Sequence, residues 1–529
     1  MNRSGEPSIA ELMAQLAANA AEIAALKAEK EALSARVVKL EEELTLARLH
    51  RFAPKSEKHV DRLFNEAEQV AVEDETDNDG DLVDLPDTGF ASTEKPEGRK
   101  RGRKPLPEHL PRERVEYDLA DDQKACPCCR HQMHRMGEAV TEQLHIEVKA
   151  KVLQNVRFKY ACRHCDRTGI NTPVILAPMP AQPLPGSIAT ASTLAFALVH
   201  KYVDGTPLYR LAQAFERAGV PVSRGALGNW VIGSSERHLS RIYETLKLRL
   251  RSQPLIHGDE TTVQVLKEKD REATSASYMW AYRSGEESNE PIVLLDYQPG
   301  RGQIYPQAFL GDYRGILMSD GYTAWRTLEG ATHLGCMAHS RRRFVDALKA
   351  RKKGGGPPEQ ALKFFEQLYR IESQACNEKP DRDETRDQCI GRFRQQHSIP
   401  ILNALKAWLD NIAPKVLPDT KLGDAVSYTL NQWKYLTRYT EDGRMPIDNN
   451  LLERDIRIFA TGRKSWLFSD TVDGARASAV VYSIMLTCRA CGIEPLAYLR
   501  CILTELPQRA PDADIADLLP FNFTKTAAA

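Results

Sequence analysis

Three acidic residues stand where chemistry could use them. Asp259 ends the apolar run of "PLIHGDET", and Asp320 ends another in "GILMSDGY". Far downstream, Glu453 lies early in the helical stretch "IDNNLLERDIRIFATGRKSW". There Asp448 or Asn449 can serve as cap, and Leu452, Ile456 and Phe459 recur at i, i+4 and i+7 as an apolar stripe. Singly, each acid is weak evidence. Strand-end aspartates often close turns, and an i,i+4 pair of Glu453 with Arg457 is worth only about 0.3–0.5 kcal/mol. Together they describe a site. Two aspartates at the ends of adjacent strands can converge, and Glu453, flanking the stripe that docks its helix, can look along the sheet edge toward them. Three carboxylates suit magnesium, a hard cation that prefers oxygen ligands and keeps some waters; manganese can take the same ligands. Two such ions roughly 3.5–4 Å apart can activate a nucleophile and stabilise the leaving oxygen of an in-line phosphoryl displacement.

Basic residues accompany the acids. "AHSRRRF" carries His339, Arg341, Arg342 and Arg343, and "TGRKSW" carries Arg463 and Lys464. A charge run is usually a solvated face, but two runs beside the acids fit contacts to a nucleic-acid backbone. His339 is read with them as a phosphate-positioning group without a proton-transfer role. A second constellation is Cys126-Pro-Cys128-Cys129 followed by Cys162-Arg-His-Cys165. Two C-x-x-C knuckles can present four thiolates to a structural zinc ion. Cys128 could replace Cys129, and His131, His134 and His164 are further candidates. Cys488 and Cys491 repeat the spacing within an apolar helical pattern and read as core cysteines.

These residues need several elements to position them. The chain has 529 residues, 42% of them apolar, which calls for several domains. Formal net charge is zero, yet charge is segregated. Residues 66–94 are acidic and read as a linker. The basic "GRKRGRKPLP" (98–107) follows, in which Arg101, Arg103 and Lys104 either lie in an A·T-rich minor groove, as in an AT-hook, or form a solvated linker touching phosphates. No apolar stretch approaches the roughly 18 residues that span a bilayer, and no apolar leader opens the chain, so a soluble cytoplasmic protein is expected.

Residues 9–47 carry heptads, with Ile9, Leu16, Ile23, Lys30, Val37 and Leu44 at a and Leu12, Asn19, Leu26, Leu33, Leu40 and Ala47 at d. This is the pattern of a self-associating coiled coil, although an amphipathic helix docked on its own chain would share it. In "TPLYRLAQAFERAGVPVSRGALGNWV", Thr206 is the expected N-cap with Pro207 at N1, Gly219 ends the first helix and Ser223 caps the second. The pair reads as a helix-turn-helix with Arg224 and Asn229 near the start of its second helix, where base edges are met, or as a packing unit. From residue 254 short β-branched runs predict a mixed sheet; residues 358–440 and 474–506 read as helices.

Taken together, the motifs resemble the IS66-type transposases of bacterial insertion sequences. The resemblance runs over most of the chain. It is carried by the N-terminal zipper, "CPCCR" with "YACRHC", "KYVDGTPLYR", "HGDET", "SDGY", "CMAHSRRRF", "IDNNLLERDIR", "GRKSWLFSD" and "IEPLAYL". It implies a multidomain α+β chain. The expected order is a coiled coil (1–50), a linker with the AT-hook-like segment (51–113), a zinc-binding β domain (114–183) and a helix-turn-helix (184–245). A ribonuclease-H-like DDE catalytic domain (250–349 and 441–475) then encloses a helical insertion (350–440), and helices close the chain (476–529). The resemblance assigns Asp259, Asp320 and Glu453 to magnesium and Cys126, Cys129, Cys162 and Cys165 to one zinc ion. The chain departs from the family at Cys128 and Arg130, where the first knuckle usually reads Cys-Pro-x-Cys-Gly, which leaves the choice of zinc ligand open. The implied function is a DNA transposase. It would bind the inverted-repeat ends of its element as a dimer or larger assembly at the nucleoid, with accessory proteins of the element as further partners. A nuclease of the same fold that does not join strands, and a non-catalytic DNA-binding regulator, are the alternatives.

Overall fold

The computed structural model describes residues 9–52, 114, 150–160, 174–351 and 355–523. Arg101, Arg103 and Lys104, and Cys126, Cys128, Cys129, Cys162 and Cys165, lie outside the described residues. The chain divides into two units, residues 80–178 and the remainder.

Helix α1 (Ile9–Phe52) is continuous. Its seam residues Leu16, Ile23, Leu26, Leu33, Val37, Leu40 and Leu44 are all exposed, so nothing among the described residues covers the stripe. In the 80–178 unit, β1 (Lys159–Tyr160) pairs antiparallel with β2 (Ile175–Leu176). The Ala177 N–H donates to Phe158 O at 2.9 Å, and Arg157 Nε donates to Ala177 O at 2.7 Å. Of the described residues before the second knuckle, 159–160 are strand and 150–158 have no regular structure.

The larger unit opens with four helices: α2 (Ala191–Tyr202), α3 (Leu208–Arg217), α4 (Arg224–Ser234) and, after one π turn, α5 (Ser240–Arg251). The Ser223 hydroxyl accepts the Ala226 N–H at 3.1 Å, the cap expected for α4, and Gly219 takes a positive φ of 79° just after α3. The start of α3 corrects the sequence reading. Pro207 itself is the N-cap and makes no side-chain cap bond, so Thr206 lies one residue outside. Leu211, Leu227, Trp230 and Val231 are buried between these helices and the rest of the core.

A mixed sheet follows. β3 (Leu255–Lys267), β4 (Ala276–Ser284) and β5 (Val293–Gln298) form an antiparallel meander. After the short α6 (Ile304–Leu310), β6 (Ile316–Ser319) returns parallel to β3, and beyond α7 (Thr323–Arg326), β7 (Thr332–Gly335) lies parallel to β6. The order is β5-β4-β3-β6-β7, with β3 central. Period-two alternation splits the sheet's side chains between two cores. Ile256, Leu317, Trp280 and Tyr282 join Phe309 and Trp325. Leu255, Ile316, Met318 and Leu334 join a cluster built on Phe344, Phe365, Leu402 and Leu405.

That second cluster comes from helices after the sheet: α8 (Met337–Lys349), α9 (Pro357–Asn377), α10 (Arg386–Ile412) and α11 (Lys421–Leu436). The chain then returns to the sheet in α12 (Asn450–Trp466), pairs β8 (Ser469–Thr471) with the end of β3, and finishes in α13 (Val472–Ala490) and α14 (Pro495–Glu505). The stripe of α12 is the predicted one, with Leu452, Ile456 and Phe459 fully buried. Along α13, the Ser483 hydroxyl accepts the Leu295 N–H at 2.8 Å, and the Thr487 hydroxyl both accepts the Val293 N–H at 3.1 Å and donates to Val293 O at 3.0 Å. These side chains occupy backbone groups of β5. Among the described residues no helix is long and apolar enough to cross a membrane.

One buried arginine ties the helical segment to the return loop. Arg394, on α10, donates to the carbonyls of Tyr439 (2.9 Å), Asp442 (3.1 Å), Gly443 (3.3 Å) and Met445 (2.8 Å) and pairs with Glu372 on α9 at 2.6 Å. A planar fork reaches all of these at once; an ammonium does not. Arg394→Ala should therefore cost about 3–5 kcal/mol, the cost of breaking a buried pair from one side, and Arg394→Lys should recover little of it. Denaturant unfolding followed by circular dichroism checks this. Equal midpoints for Arg394→Lys and the unaltered chain would show that charge alone suffices.

Candidate metal centre

The acids are brought together by strand register. The parallel pairing of β3 with β6 sets Leu255 against Ile316, Ile256 against Leu317 and His257 against Met318. Two residues further along each strand stand Asp259 and Asp320, neighbours on one face. Gly258 is required by what lies behind it, since a Cβ there would stand 2.6 Å from the Trp325 ring. At the end of β6 the chain turns sharply at Gly321, φ +93°, and Asp320 Oδ1 accepts the Tyr322 N–H at 2.8 Å. Tyr428 on α11 donates to the Asp320 carbonyl at 2.6 Å.

Glu453 comes from the first turn of α12, which is held over β3 by two contacts. Asn449 occupies the N-cap position, but its side chain does not cap the helix. It spans to β3: Asn449 Nδ2 donates to Gly258 O at 3.2 Å, which turns Oδ1 toward His257 Nδ1 at 2.8 Å. That orientation makes Nδ1 of His257 the protonated nitrogen. Burial holds the His257 pKa down at about 4, so the ring is neutral at physiological pH. The Asn449 N–H donates to Cys336 Sγ at 3.2 Å, and the Met337 N–H to Ile447 O at 3.1 Å, stitching the approach to α12 onto the start of α8. One turn into α12, Asp455 pairs with Arg283 on β4. Asp448 is engaged separately, accepting from Tyr369 at 2.8 Å and from the Asn450 N–H at 3.0 Å.

The three acids feel one another. Burial pushes the Asp259 carboxyl well above the ordinary range, and the charges of Asp320, Glu260 and Glu453 push it further. Glu453 is raised by burial and by Asp448 and Asp320, against the nearby His339 and Arg342. Both Glu453 carboxylate oxygens are buried, and neither accepts a hydrogen bond among the described residues. His339 Nδ1 lies 3.7 Å from Oε1. No ion pair joins Glu453 to Arg457 among the described residues, so the i,i+4 pair of the sequence reading does not form. A cluster of buried like charges with unoccupied oxygens has the donor set a divalent cation needs. The residues present fit one.

The other predicted contacts are placed unevenly. His339 sits inside the centre on α8, against Glu453, rather than on an outer face. Arg342, half-buried, feels the Glu453 charge. Arg341 and Lys464 are exposed, as is Arg343, whose guanidinium lies 4.1 Å from the Tyr428 ring centre. Arg463 is half-buried and donates to Thr262 on β3, with Oγ1 at 3.0 Å. Arg224 and Asn229 are exposed on α4, far along the chain from these acids. The sequence reading missed Glu260, whose buried carboxylate joins Arg301 and accepts from Trp325 Nε1 at 2.8 Å. It also missed Cys336. The C-x-x-H spacing of "CMAH", which puts both side chains on one helical face, was the available signal for Cys336.

An acidic cluster where β6 ends beside the middle of β3, completed by a helix from beyond a long insertion, has the residue set of a carboxylate metal centre. The chain belongs to the IS66 transposase family. Residues 186–477, more than half of the chain, match the profile described as "Transposase IS66 family". Residues 123–166 match the "zinc-finger binding domain of transposase IS66", 39–115 the "Transposase C of IS166 homeodomain" and 483–521 the "IS66 C-terminal element". Among its relatives are two proteins of Sinorhizobium fredii (strain NBRC 101917 / NGR234), both named uncharacterized. The protein y4jD is 31% identical over 500 residues, 88% of this chain and 93% of its own length. The protein y4qI is 30% identical over 532 residues, 97% of this chain and 94% of its own length.

Asn449 makes a stability prediction. Asn449→Ala leaves the His257 Nδ1–H and the Gly258 carbonyl buried without partners, a cost of about 1–3 kcal/mol. A thermal midpoint that falls measurably is expected; an unchanged one would mean that water reaches both groups.

Proposed function

We propose that the chain is a DNA transposase with a ribonuclease-H-like catalytic domain, in which Asp259, Asp320 and Glu453 hold the catalytic cations. The observation that carries this reading is the burial of Glu453 beside Asp259, within β3, and Asp320, just past the end of β6, with no hydrogen bond to either Glu453 oxygen among the described residues. Divalent cations, two magnesium ions or manganese in their place, would activate the attacking oxygen and stabilise the leaving one.

The protein's own part is positioning. Asp259 and Asp320 stand on strands whose register cannot slip without reversing the sheet's faces. Glu453 stands on a helix locked by Asn449 and by the Arg283–Asp455 pair. Arg342 lies beside the acids, and the exposed Arg341 and Lys464, with Arg463, would take the phosphates of the bound strand. Water would first cut the DNA to leave a 3′-hydroxyl, and that hydroxyl would then attack the target strand, with no covalent protein–DNA link. Exposed Arg224 and Asn229 fit contacts of the helix-turn-helix with the element's ends, and Arg101, Arg103 and Lys104 fit the minor groove. One zinc ion on Cys126, Cys129, Cys162 and Cys165 would fold the knuckle domain. The exposed stripe of α1 fits a coiled coil with a second copy. Such a protein would work in the cytoplasm, at the nucleoid, with accessory proteins of its element as possible partners.

Asp259→Asn, Asp320→Asn and Glu453→Gln should each lower magnesium-dependent cleavage of a duplex bearing the element's end by about 10²–10³-fold or more, while gel-shift binding of that duplex persists. Undiminished cleavage by one variant would remove its residue from the site. Supplying a pre-cleaved end asks the next question: joining to target DNA is expected, and cutting without joining would reduce the protein to a nuclease. For the coiled coil, the paired substitution Leu26→Asp and Leu33→Asp should give the mass of a single chain in light scattering where the unaltered protein gives a multiple. An oligomer that survives would place self-association elsewhere.

A further inference from the structure

A different ligand set adjoins the acids. Cys336 is the N-cap of α8, and His339 lies three residues on in its first turn. Glu453 lies in the first turn of α12. The two helix starts meet, and Cys336 Sγ, a His339 ring nitrogen and a Glu453 oxygen all lie within 4.8 Å of one another. Tetrahedral zinc, with bonds of about 2.0 Å to nitrogen and oxygen and 2.3 Å to sulfur, needs such a trio to close slightly further. The His339 Nδ1 to Glu453 Oε1 spacing of 3.7 Å is already near that span.

The surroundings are those of a ligand set rather than a chance meeting. Glu453 is 2% exposed, and its carboxylate has no hydrogen-bond partner. The Asn449 N–H is directed at Cys336 Sγ, 3.2 Å away, the hydrogen bond that a ligating sulfur accepts from its outer shell. Both helix starts place positive ends of backbone dipoles near the sulfur and the carboxylate. A thiolate and an imidazole are poor ligands for magnesium and good ones for zinc or cobalt.

We propose that Cys336, His339 and Glu453 form a second metal site, for a borderline-soft divalent cation of the zinc type, that shares Glu453 with the acidic centre. Binding releases the thiol proton of Cys336 to solvent and leaves sulfur, nitrogen and oxygen on the cation. It also draws Glu453 toward His339 and sets a second positive charge beside the place where the hard cations would bind. On the transposase reading given above, the soft cation is therefore an inhibitor that competes for the third carboxylate.

The test uses the full chain with its zinc-finger domain already loaded. Co²⁺ is titrated while the thiolate-to-cobalt absorption and the bound equivalents are followed. The unaltered protein should bind one more equivalent than Cys336→Ala and His339→Gln, whose affinity at this site should drop by about 100-fold or more. Asp259→Asn should keep the thiolate-to-cobalt absorption, because Asp259 is not among the three ligands. Circular dichroism confirms that each variant is folded, and His339→Gln, at a half-buried position, decides the matter if Cys336→Ala does not fold. Equal binding by the unaltered chain and the folded variants would overturn the site. Loss of the thiolate-to-cobalt absorption in folded Asp259→Asn would also overturn it, by tying the cation to the acidic centre. In magnesium, added Zn²⁺ should suppress DNA cleavage by the unaltered protein far more than by His339→Gln, each measured against its own rate without zinc. Equal suppression would refute the inhibitory role. No cleavage by any protein would count against the transposase reading, and the cobalt titration would still decide the site.

Discussion

Mutual repulsion among buried carboxylates governs the architecture around it. Asp259 and Glu453 are held out of water, with the half-buried Asp320 within reach of their charge, an arrangement that the two buried acids would relax by moving apart or taking a proton. They stay because each is fixed by something stiffer than itself. The two aspartates extend a parallel register that the hydrophobic alternation of β3 and β6 enforces. Glu453 is carried by a helix whose position is set by Asn449, by Arg283 and by a fully buried stripe. Local strain of this kind persists only where the surroundings over-determine it.

The long helical segment between β7 and α12 belongs to the same problem. More than a hundred residues separate Asp320 from Glu453, and the chain must come back to the sheet in one orientation. Arg394 gathers the carbonyls of the return loop, Tyr369 holds Asp448, and Tyr428 reaches the carbonyl of Asp320. The insertion is thus more than a spacer. Its helices contact both ends of the interval they fill, through Tyr428 at the Asp320 carbonyl and Tyr369 at Asp448.

Much of this was legible in the primary structure, and the part that was not has a consistent cause. The strand end before Asp320, the stripe Leu452, Ile456 and Phe459, and the Ser223 cap all follow from periodicity and capping rules that act within one element, whereas Asp259, expected to end its strand, lies inside β3, which runs on to Lys267 in its pairing with β4. The misses are contacts between elements. Asn449 looked like a cap and is instead a strut to His257, 192 residues away. The pair of Glu453 with Arg457 was the weaker reading, and the carboxylate lies against His339 of α8 instead. His339 was grouped with the basic run beside the acids, and its contact with Glu453 was not foreseen. Each error follows from letting sequence neighbours stand in for spatial ones. Thr206, displaced by a single residue, is of a different kind: proline can itself hold the N-cap, and helix ends are the softest boundary to read.

The hydroxyls of Ser483 and Thr487 have a consequence of their own. A strand at the rim of a sheet offers its amides and carbonyls to any passing β-strand, and other proteins blunt that rim with charges, bulges or proline. Here Val293 and Leu295 have those groups taken by α13, and the Tyr243 hydroxyl adds a further bond to Leu295 O at 3.0 Å. The rim is sealed from within the chain by alcohol side chains on a helix. Copies of this protein gathered close together on one stretch of nucleic acid would therefore have no route to stack through β5, and association would be left to surfaces built for it.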